Sequence, residues 1–222
     1  MTAKYSDAAL RRPECAQAAM EVPLSAASDV LLRSRKQCGE NTVFRIYLDH
    51  IDNGAGLEVR EYLSVVPKTI FGEAVTGVAV LPVVEGKIGL ISVLRHPLQR
   101  RAWEVPKGMV ERGEELVQSA VRELREETGY VASESELVDL GYTAPDPGLI
   151  VARIKLFSIA LAGARAFAAE GELGHGELAF FTPREILRLI MTGMIEDACT
   201  LAILFRQSLT VDGGWSQQGE IA

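Results

Sequence analysis

The chain is poor in the residues that build covalent frameworks and soft-metal centres. Cys15, Cys38 and Cys199 are its only cysteines. They are odd in number, widely spaced and without a CxxC, so neither a disulfide scaffold nor a thiolate zinc site is indicated, and the thiols are expected to stay reduced. Histidine is equally sparse, and no pair has a ligating spacing. His96, beside Pro97, and His175, between two glycines, therefore read as surface or loop residues. No apolar run approaches the roughly 18 residues of a membrane span, and the N-terminus lacks the apolar core of a signal peptide. Positive charge is also short: the formal net charge is −7. A soluble, cytoplasmic chain is expected, with no nucleic acid and no membrane as its main partner. What is present is ordinary globular material, 48% apolar and 24% charged over 222 residues, ample for one domain with an N-terminal appendage.

In order, residues 1–28 are rich in alanine and small polar residues with little strand periodicity, and read either as a loose tail or as a short helix. Residues 29–72 read as a small antiparallel β unit. Within it Phe44, Ile46 and Leu48 alternate with Val43, Arg45, Tyr47 and Asp49, the IDNGAG segment turns the chain, and Leu57–Val66 returns. The main domain is expected over 73–210. Gly77–Val84 and Lys87–Leu94 form a hairpin about Glu85-Gly86, Ala102–Val105 a short strand, and Leu137–Thr143, Leu149–Leu161 and Glu177–Phe181 further strands. Helices follow at Pro183–Met191, with proline in a good first position, and at Glu196–Leu209, before a tail at 211–222. Strands on both sides of a central helix, with helices at the end, predict an α/β (α+β) layered domain.

The central helix lies in GMVERGEELVQSAVRELREETGY, Gly108 to Tyr130. It is predicted from about Glu114 to Thr128 and is stopped by Gly129, which tolerates a left-handed cap. Val117, Ala120, Val121 and Leu124 form an apolar arc for packing on a sheet. Glu123, Glu126 and Glu127 crowd the last turns, where the helix dipole disfavours negative charge, and their spacing of three and four residues puts them on one face. Three glutamates alone read most plainly as a solvated acidic face. Arg122, four residues before Glu126, is placed to pair with it. Carboxylates of this kind suit Mg²⁺ or Mn²⁺, with a diphosphate as substrate.

Gly108, Glu114, Arg122, Glu123, Leu124, Glu126, Glu127 and Gly129 stand at the spacing of the Nudix box, with Tyr130 an aromatic where an aliphatic is usual. The sequence resembles the Nudix hydrolases, and most closely their ADP-ribose and ADP-sugar pyrophosphatase branch. That resemblance implies an α/β/α sandwich with a mixed sheet, preceded by the small β unit as a dimerisation element of a homodimer. It implies Glu123 and Glu127 as metal ligands, Glu126 as a further ligand or support, Arg122 as its partner, and a main-chain carbonyl at Lys107 or Gly108. It also implies Mg²⁺ (or Mn²⁺) as cofactor and a small nucleoside diphosphate derivative as substrate. LRHPLQRRAWEVPKG resembles the branch's segment before the box, which makes Arg95 and Met109 substrate-contact residues. Pro145, 15 residues beyond the box within APDPG, marks a second contact with Asp146. A further glutamate before the last strand would act as base: Glu177, with Glu170 and Glu172 as rivals. Lys107 departs from the alanine common in the branch, and its Pro-Lys-Gly triplet is shared with dinucleoside-polyphosphate and cap-cleaving relatives. A dinucleoside polyphosphate or GDP-sugar is therefore the alternative substrate, and a non-catalytic nucleotide sensor on the same fold is the alternative of another class. Arg100 and Arg101 extend the basic patch, while Phe44, Tyr47, Tyr62 and Trp103 read as packing aromatics.

Overall fold

The computed structural model describes residues 30–70, 72–162, 165 and 173–210. The expectations for 1–28 and 211–222, and the rivals Glu170 and Glu172, lie outside the described residues. Among the described residues two compact units are present: those up to Cys38 with Tyr47–Leu63, and Gly39–Ile46 with those from Ser64.

The first unit belongs to a three-stranded antiparallel sheet in the order β1-β2-β3, from β1 (Leu31–Glu40), β2 (Phe44–Asp52) and β3 (Glu58–Pro67). The sequence suggested only β2 and β3. β1, LLRSRKQCGE, carries too few alternating apolar residues to stand out, and its partners are polar. Arg35 makes two 2.8 Å bonds to the buried Asp49 and lies 4.6 Å above the Tyr47 ring, while Arg33 pairs with Asp52. Leu32, Leu57, Val59 and Leu63 leave apolar surface exposed on this unit.

The second unit is built on a mixed sheet ordered β10-β5-β4-β9-β8. Its strands are β4 (Val75–Val84), β5 (Lys87–Arg95), β8 (Val138–Thr143), β9 (Arg153–Leu161) and β10 (His175–Phe181). β6 (Arg100–Glu104) adds to β5, and β7 (Lys107–Met109) adds to β4. Only β4 and β9 run parallel; the other described ladders are antiparallel. β4 is apolar along nearly its whole length because both its faces are covered. Ala79 and Leu81 join Leu156, Ile186, Ile203 and Leu204 in one core. Their alternates Val78 and Val80 join Phe157, Ala120 and Leu124 in another. Since successive strand side chains point to opposite faces, α1 (Leu116–Thr128) covers one face, and α2 (Pro183–Met191) and α3 (Ala198–Thr210) cover the other. This is the α/β/α sandwich expected.

Two local departures matter for the site. Leu149–Val151 is not the start of β9. The Leu149 carbonyl accepts from the Val65 amide at 2.8 Å, and the Val151 amide donates back to Val65 at 2.9 Å, so this stretch is drawn to the end of β3. The central helix begins at Leu116 rather than Glu114. Glu115 is its N-cap, in an extended conformation, and its amide donates to the Gln118 side chain at 3.0 Å. At the other end Gly129 has φ 75°, the left-handed cap that only glycine adopts without strain. Of the predicted apolar arc, Ala120 and Leu124 are fully buried with Val117 packed beside them. Val121 is half-buried on the flank with Arg122 and Arg125.

Candidate active site

Glu114, left outside the helix, is the first organising carboxylate. It accepts from the Glu111 amide (3.2 Å), the Ser119 hydroxyl (2.6 Å) and Arg122 through Nε (2.9 Å) and Nη2 (3.1 Å). Arg122 spends its remaining donors on Glu123 Oε1 (2.7 Å), Glu126 Oε2 (3.1 Å) and the Met109 carbonyl (2.9 Å). One planar fork therefore fixes three carboxylates and ties the helix to β7. The Arg122 hydrogen bond, working against burial and helped by Ser119 and the Glu111 amide, holds the Glu114 carboxyl down at about 2.

A pH prediction follows from that value. A depressed folded-state value stabilises the fold above the unfolded carboxylate range and ceases to do so as pH falls toward about 2. Glu114→Gln should melt a few degrees below the wild type at about pH 6. The gap should close by about pH 2, which thermal melts across that range would measure.

Glu123 and Glu127 are both buried, at 6% and 7% exposure. The Glu123 carboxylate lies directly on Gly108: a Cβ there would stand 2.0 Å from Oε1. Glu127 Oε2 accepts the Lys107 amide at 2.9 Å, and its Oε1 lies 3.6 Å from His175 Nδ1. Among the described residues, no three acidic, histidine or cysteine side chains are grouped to hold an ion, and Arg122 and the Lys107 amide each take carboxylate oxygens. The donor set is nonetheless all-oxygen, and it is buried over a backbone cradle that a Cβ would fill. That chemistry suits a hard divalent cation. Of the two main-chain carbonyls considered, Gly108's would stand 2.6 Å from a Cβ on Gly77, so it faces β4.

A second polar group adjoins the first. Glu104, 3% exposed, takes Arg95 bidentately (3.0 and 2.6 Å) and Lys107 Nζ (2.6 Å). Lys107 Nζ also meets Asp197 Oδ2 at 2.7 Å. Burial raises the Glu104 and Asp197 carboxyls, but the bonds and charges of their cationic partners outweigh it, and both end below the usual range. The Glu104 hydrogen bond raises Arg95, and the Glu127 carboxylate is close enough to add to the effect. Arg95 thus lies within range of the Glu127 charge and lines a cavity of about 580 Å³ with Pro97, Leu98, Glu104 and Asp197. Cys199 is buried nearby, its thiol pushed up to about 11 by burial and then by Asp197, which makes it a packing residue.

Other predicted residues are placed apart from these bonds. Arg100 pairs with Glu196 and the Gly193 carbonyl, and Arg101 with Ser92 and the Gly174 carbonyl, so both brace the fold. His96 is exposed against Gln99, and Trp103 packs edge-on to Phe181. Pro145 and Asp146 lie on the β8–β9 connection, where the Asp146 carbonyl closes a turn by accepting from Leu149 and Ile150. Met109 is part-exposed on β7, and Glu177 is exposed on β10.

His175 corrects the sequence reading. Its side chain is 12% exposed and faces Glu127. The signal was in its flanks. A Cβ on Gly174 (φ 92°) would strike the Leu94 carbonyl at 2.7 Å, and one on Gly176 would meet Arg101 at 2.8 Å. Both glycines let β10 close onto β5 and carry His175 inward. Glu104 and Asp197 were also missed, since an isolated acid near a strand end or helix start has no pattern of its own.

A mixed-sheet α/β/α sandwich with a carboxylate-bearing helix against a glycine cradle defines the class. The NUDIX domain profile matches residues 74–198, and the chain belongs to that family. Its sequence is 48% identical over 69 residues to an ADP-ribose pyrophosphatase of Bacillus subtilis (strain 168), covering 31% of this chain and 37% of that protein. It is 32% identical over 108 residues to an ADP-ribose pyrophosphatase of Saccharomyces cerevisiae, covering 44% and 47%. It is 39% identical over 61 residues to a methanol dehydrogenase activator of Bacillus methanolicus, covering 28% and 33%. The matches thus span between a third and a half of these relatives. The fold also resembles a solved ADP compounds hydrolase, with TM-score 0.68 at 14% identity over 85% of this chain and 97% of that one.

Proposed function

We propose that the chain is a metal-dependent Nudix pyrophosphatase that hydrolyses ADP-ribose or a similar ADP-sugar to AMP and a sugar phosphate. The observation that carries this reading is the buried Glu123–Glu127 pair on the Gly108 cradle, set beside Arg95 and its cavity. The names of the Bacillus subtilis and Saccharomyces cerevisiae relatives support the substrate class. Glu123 and Glu127, with Glu126 in support and the Lys107 main-chain carbonyl, would hold Mg²⁺ or Mn²⁺. Such an ion polarises a diphosphate and lowers the pKa of an attacking water. Arg122 keeps Glu123 and Glu126 in register. Arg95, already oriented by Glu104, presents its guanidinium to phosphate oxygens. Met109, Pro145 and Asp146 bound the substrate, and Glu177 takes the proton of the water.

The exposed apolar residues of the β1–β3 unit support a homodimer through that sheet. Product analysis over a panel of nucleoside diphosphate derivatives, with Mg²⁺ and with chelator, tests the reading. ADP-ribose should yield AMP only with metal, and Glu177→Gln should lose turnover about 100-fold or more while still binding metal. Faster cleavage of dinucleoside polyphosphates or GDP-sugars would move the substrate class. Nucleotide binding without cleavage would make the domain a sensor.

A further inference from the structure

The Glu104–Lys107 segment is tied at three points. The Pro106 carbonyl accepts from the Val80 amide at 2.9 Å, and the Val105 amide donates to Thr200 Oγ1 at 3.1 Å. The Lys107 ammonium bridges Glu104 and Asp197. Two of these ties reach the first turn of α3, where Asp197 Oδ2 also accepts from the Thr200 amide (2.8 Å) and hydroxyl (2.7 Å). The segment ends in the Lys107 amide that holds Glu127 Oε2. The start of α3 is therefore wired to a carboxylate of the Nudix box through one residue, Lys107.

The charges in this group balance: Arg95 and Lys107 face Glu104 and Asp197. Without Asp197, Lys107 keeps only Glu104, whose charge Arg95 already shares, and without Lys107 the part-buried Asp197 loses its cation. The partner left behind must then shift, Asp197 toward water and Lys107 onto Glu104 alone. Either shift displaces the amide on which Glu127 rests.

We infer that Asp197 is a positioning residue for Glu127, acting through the Lys107 side chain, so that the start of α3 sets the metal affinity of the box. This rests on the metal-binding reading above, though not on the identity of the nucleotide. Lys107 then serves as an internal tie, its charge committed to protein carboxylates.

The test is a double-substitution cycle with Asp197→Asn and Lys107→Met in the full chain. Asparagine keeps an oxygen for Thr200, so the helix cap survives and only the charge is lost. Mn²⁺ binding to the nucleotide-free protein is read by electron paramagnetic resonance, and kcat and KM by steady-state hydrolysis. Each single substitution should weaken Mn²⁺ binding about 10- to 100-fold and lower kcat in parallel, with KM moving less than about threefold. The double variant should be no worse than the poorer single one, because both act through one contact. Lys107→Arg, which can rebuild the bridge, should recover affinity to within about tenfold of the wild type. The double variant leaves neither member of the pair orphaned, so it keeps the comparison open where a single variant does not fold. Factors that multiply in the double variant, or Mn²⁺ affinity equal in wild type and variants, would overturn the inference. Wild-type protein that binds no Mn²⁺ would instead overturn the metal reading itself, and Mn²⁺ binding without cleavage of the panel would overturn the pyrophosphatase reading while the Mn²⁺ affinities still decide this inference.

Discussion

Glu127→Gln is expected to lower kcat about a thousandfold while leaving the folded protein intact. The side chain is buried, with Oε2 held by the Lys107 amide and His175 Nδ1 at 3.6 Å from Oε1. Glutamine is nearly isosteric, so its carbonyl oxygen can still accept the Lys107 amide, and the helix need not shift. What disappears is a unit of negative charge at the place where a divalent ion and a diphosphate are brought together. A bound metal contributes several kcal/mol of transition-state stabilisation, and each ~1.4 kcal/mol is tenfold in rate, so loss of a principal ligand removes about three orders of magnitude. Stability should move the other way. Glu127 shares its helix face with Glu123 and Glu126 at a carbonyl terminus, so the uncharged side chain relieves repulsion. Without divalent ions the variant should melt at or above the wild-type temperature. Steady-state kinetics and metal-free melts read both effects together. Turnover within tenfold of wild type would remove Glu127 from the chemistry.

The opposite signs of those effects explain what was readable in the chain. Function at this site is written against local stability: acids at the wrong end of a helix violate the dipole rule, and a violation repeated at fixed spacing stands out in sequence. The sandwich was legible for a similar reason, since β4 and β5 are long apolar runs around an obvious turn and α1 and α2 carry strong start and stop signals. β1 was not, because its stabilising partners are ion pairs such as Arg35–Asp49 that follow no hydrophobic period. Leu149–Val151 was misread because an apolar run does not say which strand it will meet, and Val65 competes for it. The Glu104–Lys107–Asp197 group was invisible for a third reason. Its members are up to 93 positions apart (197 − 104), and only the fold makes them neighbours. His175 was half visible: the two flanking glycines marked a close approach without saying what was approached.

Gly108→Ala should separate catalysis from folding without removing any charge from the site. A Cβ at that position would meet Glu123 at 2.0 Å from Oε1, 2.1 Å from the carboxyl carbon and 2.3 Å from Oε2, distances no pair of atoms tolerates. All three atoms belong to the far end of a flexible side chain, so the strand and helix can stay while the carboxylate swings aside. Arg122, which holds Glu123 Oε1 at 2.7 Å, also bonds Glu114 and Glu126 and can follow only by giving up those bonds. The group therefore settles out of register rather than re-forming. Misplacing a reactive constellation by about 1 Å costs roughly 100-fold in rate, and that is the expected fall in kcat, with the melting temperature lowered by only a few degrees. Gly77→Ala is the matched contrast. Its Cβ would stand 2.6 Å from the Gly108 carbonyl oxygen, a backbone atom that cannot swing, so β7 must be pushed from β4. That overpacking should cost about 1–3 kcal/mol of stability. Thermal melts and kcat measured on both variants decide the matter. If Gly108→Ala loses stability as Gly77→Ala does while keeping its turnover, the glycine serves strand packing and the carboxylate cradle is incidental.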